Sequence, residues 1–311
     1  MTDDTIGIDI SKVTLDIHRL SDGKMMSFSN CPAGFKALSK FCAKTRVTRV
    51  IYEATGAYHS GLERALGVYL PLVKVNPLQA RRFAQAQGVR VKTDAVDARM
   101  LAVMGNAFAL EPDETATKIQ HDLKELRSFR SGLVKDRTSI ISRMKTQTLA
   151  VTRRQSKARL AQVDKQIAEI NAEVDRLIHS NGTLAHSMKI LRSIPGIGAV
   201  CAATILIEMP EIGSMDRKQV ASLTGLAPMT RQSGQWRGKS FIQGGRKVVR
   251  GALYMPALVA MRHNPDLSVK YQAMIKAGKP PKVALTALMR KLIELANTLI
   301  KADRNWVKKG A

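Results

Sequence analysis

The sequence predicts an α/β domain built on a mixed sheet, followed by a helical segment and a mainly helical C-terminal domain. Three observations predict it. Over the opening 113 residues, short apolar runs bounded by turn residues alternate with helical periodicity. Between Leu160 and Leu177, apolar residues then recur at heptad spacing. Finally, net charge climbs along the chain, from +4 over residues 1–113 to +6 over 114–185 and +15 over 186–311, out of +25 in all. We therefore divide the 311 residues at those two points.

Residues 5–9, 13–20 and 24–28 read as strands, the last two joined by a Ser21-Asp22-Gly23 turn. A helix over 35–43 and a strand over 47–53 follow. Next come a helix over 58–67, a strand over 72–75, and helices over 77–87 and 94–107. Three successive strands followed by helix–strand alternation predict a mixed sheet flanked by helices. A first strand holding an Asp, a later strand ending in Glu and a last helix carrying acids give the ribonuclease H-like layout.

In the middle segment, Leu160, Val163, Ile167, Ile170, Val174 and Leu177 form the seam. A looser stripe of Leu123, Leu126, Leu133, Ile140 and Met144 lies upstream, and the polar, basic residues 151–157 stand between the two. Two long antiparallel helices satisfy this pattern, as does a helical pair that dimerises through a coiled coil. The last domain opens with Ile194-Pro195-Gly196-Ile197-Gly198, which resembles a helix–hairpin–helix turn. Backbone amides near Gly196 and Gly198 would grip a nucleic-acid phosphate at a helix N-terminus. A simple turn fits equally. Helical patterns return over 248–262 and 281–300, and residues 306–311 read as a frayed tail.

Four carboxylates dominate the first domain. Asp9 sits within one apolar strand, Glu53 ends another, and Asp94 and Asp97 are spaced to share the first turn of a helix capped by Thr93. Taken singly, Asp94 is a cap, Asp97 a surface charge and Glu53 a turn residue. Converging, they suit a two-magnesium phosphoryl-transfer site, because hard divalent cations take oxygen ligands and clamp both sides of a scissile phosphate.

Apolar residues make up 45% of the chain, which supports packed cores, and the pI of about 10.3 points to a polyanionic partner. Cys31, Cys42 and Cys201 form no Cys-x-x-Cys pair. That argues against a zinc site or a disulfide framework and fits a reducing cytoplasm. The Met1-Thr2-Asp3-Asp4 start does not read as a signal peptide, and no apolar stretch reaches membrane-spanning length.

The polar stretch from Arg231 to Arg246 places Ser240 among Arg237, Lys239, Arg246, Lys247 and Arg250. Dense cationic charge favours a serine alkoxide and stabilises a phosphorane-like transition state, although no base adjoins Ser240 in sequence. The same residues serve equally as a basic DNA-binding loop with an incidental serine.

Several motifs occur in a fixed order: Gly7-Ile8-Asp9-Ile10-Ser11-Lys12, Glu53-Ala54-Thr55-Gly56-Ala57-Tyr58 and Lys92-Thr93-Asp94-Ala95-Val96-Asp97-Ala98-Arg99. They are followed by Ile194-Pro195-Gly196-Ile197-Gly198, Leu223-Thr224-Gly225-Leu226-Ala227-Pro228, Arg237-Gly238-Lys239-Ser240 and Arg250-Gly251-Ala252-Leu253-Tyr254-Met255-Pro256. Together they resemble the DEDD insertion-sequence transposases, the group that includes the Piv and MooV invertases and is also called bridge-RNA-guided recombinases. The resemblance spans roughly residues 5 to 300. It departs at Gly244-Gly245 and Arg250-Gly251, where relatives often carry Lys-x-Gly or a second basic residue.

The resemblance implies a RuvC-like tetrad of Asp9, Glu53, Asp94 and Asp97 that holds Mg2+, and a serine nucleophile at Ser240. It also implies DNA as target and donor, a structured non-coding guide RNA that pairs with both, and assembly as a homo-oligomer, a dimer or a tetramer. A RuvC-like junction-resolving nuclease, with water in place of Ser240, is the runner-up.

Overall fold

A computed structural model describes residues 4–54, 56, 58–89, 91 and 93–308. Two compact units make up the chain, Met1–His121 and Asp122–Ala311.

The first unit is built on a five-stranded sheet of β1 (Asp4–Ile10), β2 (Thr14–Arg19), β3 (Met25–Ser29), β4 (Val47–Glu53) and β5 (Leu72–Val75). Its order is β3-β2-β1-β4-β5. The β1–β2 and β2–β3 pairs are antiparallel, and β4 and β5 continue parallel to β1. This is the mixed sheet that the sequence predicts, and it is compatible with a RuvC-like fold.

Period-two alternation sends the two halves of β1 to different faces. Ile6, Ile8 and Ile10 join Leu15, Ile17, Val50 and Tyr52 in one core, with Phe35 and Leu38 of helix α1 (Pro32–Cys42) and Leu62 of α2 (Ser60–Leu66). Helices α3 (Pro77–Ala86) and α4 (Asp94–Ala107) serve the other core, where Phe83, Leu101 and Met104 pack on Ile51, Val73 and Val75.

Small residues let α4 lie close on the sheet. A Cβ at Gly7 would stand 2.0 Å from the Ala98 carbonyl oxygen and 2.5 Å from the Ala102 nitrogen. One at Gly105 would meet the Ile51 side chain at 2.3 Å. Gly105 therefore sits near Thr5 and Ile51, Ala98 and Ala102 sit over Gly7, and the first turn of α4 is carried to the C-terminal end of β1.

Helix α5 (Lys118–Met144) and α6 (Ala150–His179) pack as an antiparallel hairpin. Their register is pinned by Arg137 Nε donating to Asp164 Oδ1 at 2.6 Å and by Arg130 Nε donating to Asn171 Oδ1 at 2.6 Å. The seam residues Leu160, Val163, Ile167 and Ile170 pack with Leu133, Ile140 and Met144 of α5. Within one chain, α5 thus fills the seam. The break between the helices falls at residues 145–149, and residues 151–157, read as an interruption, are helical. Basic composition misled that reading, since Arg, Lys and Gln are good helix formers. Val163 is 6% exposed, so Val163→Asp should bury an unpaired carboxylate and lower stability by roughly 3 kcal/mol or more in denaturant unfolding.

Helices α7 (Gly182–Ser193), α8 (Ala199–Glu208) and α9 (Arg217–Leu223) lead to the glycine-rich stretch. After it come α10 (Lys247–Ala252), α11 (Tyr254–His263), α12 (Pro265–Lys276) and the long, largely buried α13 (Pro281–Lys301). On α13, buried Asn297 accepts from the Gly213 amide at 2.8 Å and donates to the Met215 carbonyl at 2.7 Å, fixing the approach to α9. Of the tail read as frayed, Trp306 donates its amide to Ser193 Oγ at 2.8 Å, while residues 309–311 lie outside the described set. So do Thr55, Ala57 and Lys92 of the quoted motifs. Among the described residues no helix is long and apolar enough to cross a membrane.

Candidate active site

Strand register brings the acids together. In the parallel β1–β4 pair Ile8 stands beside Tyr52, so the next residues, Asp9 and Glu53, are neighbours at the strands' C-terminal ends. Both alternate onto the face that carries Gly7 and Ile51, the face covered by α4. Over that edge begins α4, with Thr93 Oγ1 accepting from the Val96 amide as its cap and Asp94 and Asp97 in its first turn. Acids at that position are favoured by the helix dipole.

The electrostatics agree with the register. The Asp9 carboxyl is pushed up to about 6, first by burial, then by the charges of Asp94, Asp97 and Glu53, and last by Asp16. Asp94 is exposed and the other three are partly buried, so the cluster opens to solvent rather than closing into the core. Among the described residues no three His, Cys, Asp or Glu side chains are drawn tightly enough to make a ready ligand cage. The acids lie within mutual repulsion, since the charges of Asp94, Asp97 and Glu53 all raise Asp9. An all-carboxylate donor set of this kind fits a hard divalent cation, which would relieve that repulsion.

Asp16 joins the site through strand register rather than through any sequence motif. It pairs with Asp9 across the antiparallel β1–β2 ladder and accepts from Thr14 Oγ1 at 3.0 Å. In sequence it is the polar half of an alternating strand, and only the pairing register exposes its position.

The second cluster lies in the other unit. Short antiparallel pairs organise it: β6 (Pro228–Met229) with β9 (Phe241–Ile242), and β7 (Gln232–Ser233) with β8 (Trp236–Arg237). Ser240 is exposed in the segment between β8 and β9, with exposed Arg237 and Lys239 before it and Lys247 at the start of α10.

Two of the cations read as phosphate contacts are engaged within the chain. Arg246 makes a bidentate pair with Glu211, at 2.6 and 2.7 Å, and also donates to the Glu208 carbonyl at 2.6 Å. Arg250 donates to the Gly244 carbonyl at 2.6 Å and to the Gly225 carbonyl at 3.4 Å.

These bonds clasp a backbone crossing. Gly225 has φ +67°, and a Cβ there would lie 2.1 Å from the Gly244 carbonyl oxygen and 2.2 Å from Arg250 Nη1. A Cβ on Gly245, at φ +63°, would lie 2.1 Å from the Gly225 nitrogen. Gly225→Ala should therefore cost about 3 kcal/mol or more, through strain and displacement of the Ser240 segment, read as a lowered thermal midpoint.

At the helix–hairpin–helix-like turn, Gly196 takes φ +107°, and a Cβ there would approach the Pro256 carbonyl oxygen of α11 to 2.7 Å. Gly198 is the exposed N-cap residue of α8. Gly196 thus serves packing, and the exposed amide end of the turn begins at Gly198.

Comparison with known proteins fixes the class. A DEDD transposase family profile of the IS110 kind matches residues 6–152. A second profile, the transposase IS116/IS110/IS902 family, matches residues 188–272. The chain belongs to this family of DEDD transposases, enzymes that act on DNA. It is 30% identical to the pilin gene-inverting protein of Moraxella bovis over 320 residues, 98% of each chain. Its identity to the protein of the same name from Moraxella lacunata is also 30% over 98% of each. The transposase for insertion sequence element IS1111A of Coxiella burnetii is 20% identical over 88% of this chain and 82% of its own.

Proposed function

We propose that this transposase cuts and rejoins DNA through a covalent link to Ser240, with Asp9, Glu53, Asp94 and Asp97 holding magnesium at the edge of the sheet. The observation that carries the reading is the convergence of the four acids on Asp9, whose carboxyl the other three help to raise. Bound there, the metal supplies Lewis-acid neutralisation of a scissile phosphate.

The residues of the chain divide the remaining work. Exposed Arg237, Lys239 and Lys247 bind the phosphate backbone around Ser240. Arg246 and Arg250, spent on Glu211 and on the backbone crossing, hold the segment in shape. The Ser240 Oγ–phosphorus bond forms as the bond from phosphorus to the leaving DNA oxygen breaks, with the serine proton passing to a base. A free DNA hydroxyl then attacks the same phosphorus and Ser240 leaves, so the strand is rejoined without ATP.

Inversion, the activity in the name of the Moraxella relatives, and transposition are both served by this cut-and-rejoin cycle. Two duplexes need at least two such sites, which supports a homo-oligomer, a dimer or a tetramer. The basic C-terminal half supports a structured guide RNA as partner beside the DNA.

Incubation with DNA and Mg2+ followed by a denaturing gel tests the chemistry. A protein–DNA adduct supports the reading, whereas strand breaks that end in free phosphate with no adduct replace it with hydrolysis by water. Sequencing the nucleic acid that co-purifies tests the guide. One discrete RNA is expected, and a spread of cellular RNA removes the guide from the proposal.

A further inference from the structure

Trp236 stands out on the surface of the second unit. It closes the β7–β8 hairpin, whose turn includes Gly234 at φ +55°, and is 60% exposed. An indole so open in a small polar hairpin gains little for folding, since tryptophan ordinarily contributes through burial.

The ring is nevertheless positioned. A Cβ at Gly238 would lie 2.5 Å from Trp236 Cη2, 3.0 Å from Cζ2 and 2.9 Å from the Arg231 carbonyl oxygen. The benzo edge of the indole therefore lies over the bare main chain of Gly238, two residues before Ser240, and most of the side chain stays exposed. The other aromatic residue of the segment is already covered, because the Arg231 guanidinium lies 5.0 Å from the centroid of Phe241. Among the described residues no cation or ring is stacked on the indole of Trp236. Exposed Arg237 and Lys239 follow it in the chain.

An exposed aromatic ring followed in the chain by two exposed cations has the chemistry of a single-strand site, where a base stacks and its phosphates pair with nearby charge. We propose that Trp236 stacks on an unpaired DNA base next to the phosphate attacked by Ser240, holding that nucleotide out of the duplex. The proposal rests on the reading of Ser240 as nucleophile. It extends that reading by assigning a residue that positions the strand and makes the reaction favour melted over paired DNA. Stacking needs only a π-face, so Trp236→Phe keeps most of the effect while Trp236→Ala loses it.

Trp236 and Trp306 are the two tryptophans of the chain, so full-length Trp306→Phe protein reports Trp236 alone. Titration with a short oligothymidylate single strand is expected to quench its emission. The same strand made abasic should bind through its phosphates without quenching, and paired duplex should quench weakly. Trp236→Ala should weaken single-strand binding by roughly 5- to 150-fold. Equal quenching by the abasic strand overturns the proposal, as does single-strand binding with no quench. Quenching by oligouridylate but not by oligothymidylate assigns the platform to RNA and overturns it too. Repeating the titration with Ser240→Ala separates the two readings. A persistent quench without any adduct in the parent protein leaves Trp236 standing and removes Ser240, whereas an adduct without a quench does the reverse.

Discussion

Asp9→Asn should abolish strand cleavage while leaving DNA affinity within about twofold of the parent, because affinity comes from the basic surface rather than from the acids. It should also stabilise the metal-free protein at neutral pH. The Asp9 carboxyl titrates in the folded protein at about 6, above its ordinary value of 3.8, through burial and then the charges of Asp94, Asp97, Glu53 and Asp16. A carboxyl raised on folding favours the folded state below the unfolded pKa, and that contribution is lost as pH rises through 6. Asparagine removes the loss. The gain is of order 1–2 kcal/mol at pH 7 once solvent screening is allowed for, and it fades towards pH 4. Melts in chelator at pH 4 and pH 7 read the difference. Added Mg2+ should raise the thermal midpoint of the parent and leave the variant unmoved, since only a folded site binds it. Parent-like cleavage by Asp9→Asn, or identical melts at both pH values, sinks the assignment.

Much of the first unit was legible because its elements are local. The apolar strands, the Ser21-Asp22-Gly23 turn with Gly23 at φ +67° and the Thr93 cap are written within a few residues. The order of the sheet is not local. What fixes α4 over β1 is a set of small residues, Gly7 facing Ala98 and Ala102, and Gly105 facing Ile51. Each looks unremarkable in sequence and matters only as a contact with a partner some 50 to 100 residues away. In the second unit, residues 248–262 read as one helix, yet α10 ends at Ala252 and α11 starts at Tyr254. Helix α12 falls between the helical patterns at 248–262 and 281–300, although its start is written locally, with Asn264 as cap and Pro265 as first residue.

The candidate site divides along the same line. Asp9, Glu53, Asp94 and Asp97 stood out because carboxylates interrupt apolar strands or cluster in a first helical turn. Asp16 did not, since a polar residue in an alternating strand is ordinary until the Asp9–Asp16 register is known. Net charge counted Arg246 and Arg250 as free cations, but composition cannot tell a solvated guanidinium from one held by a carboxylate 35 residues away. Of the five cations grouped with Ser240 in sequence, Arg237, Lys239 and Lys247 are left exposed.

Ser240→Ala should remove the protein–DNA adduct and recombination together while leaving the fold intact. Ser240 is exposed in a segment whose shape is set elsewhere, by Gly225 against Gly244 and Gly245 and by Arg250 on the Gly244 carbonyl. Losing one exposed hydroxyl costs little stability, so unchanged melting is the built-in control. The effect on chemistry is of another order, because without Oγ no phosphorus–serine bond forms and rejoining has no stored link to use. Recombination should fall below detection, and binding to DNA should persist, since it rests on the basic surface. Ser233 serves as the comparison: it too is exposed, on β7 of the same segment, and its hydroxyl can at most donate a hydrogen bond to a phosphate, a loss of roughly 1 kcal/mol in Ser233→Ala. Peptide mapping of the adduct decides between the two. A link on Ser233 moves the nucleophile by seven residues and keeps the reaction class. Cleavage that survives Ser240→Ala with no adduct in the parent protein makes water the nucleophile and the chain a hydrolytic nuclease.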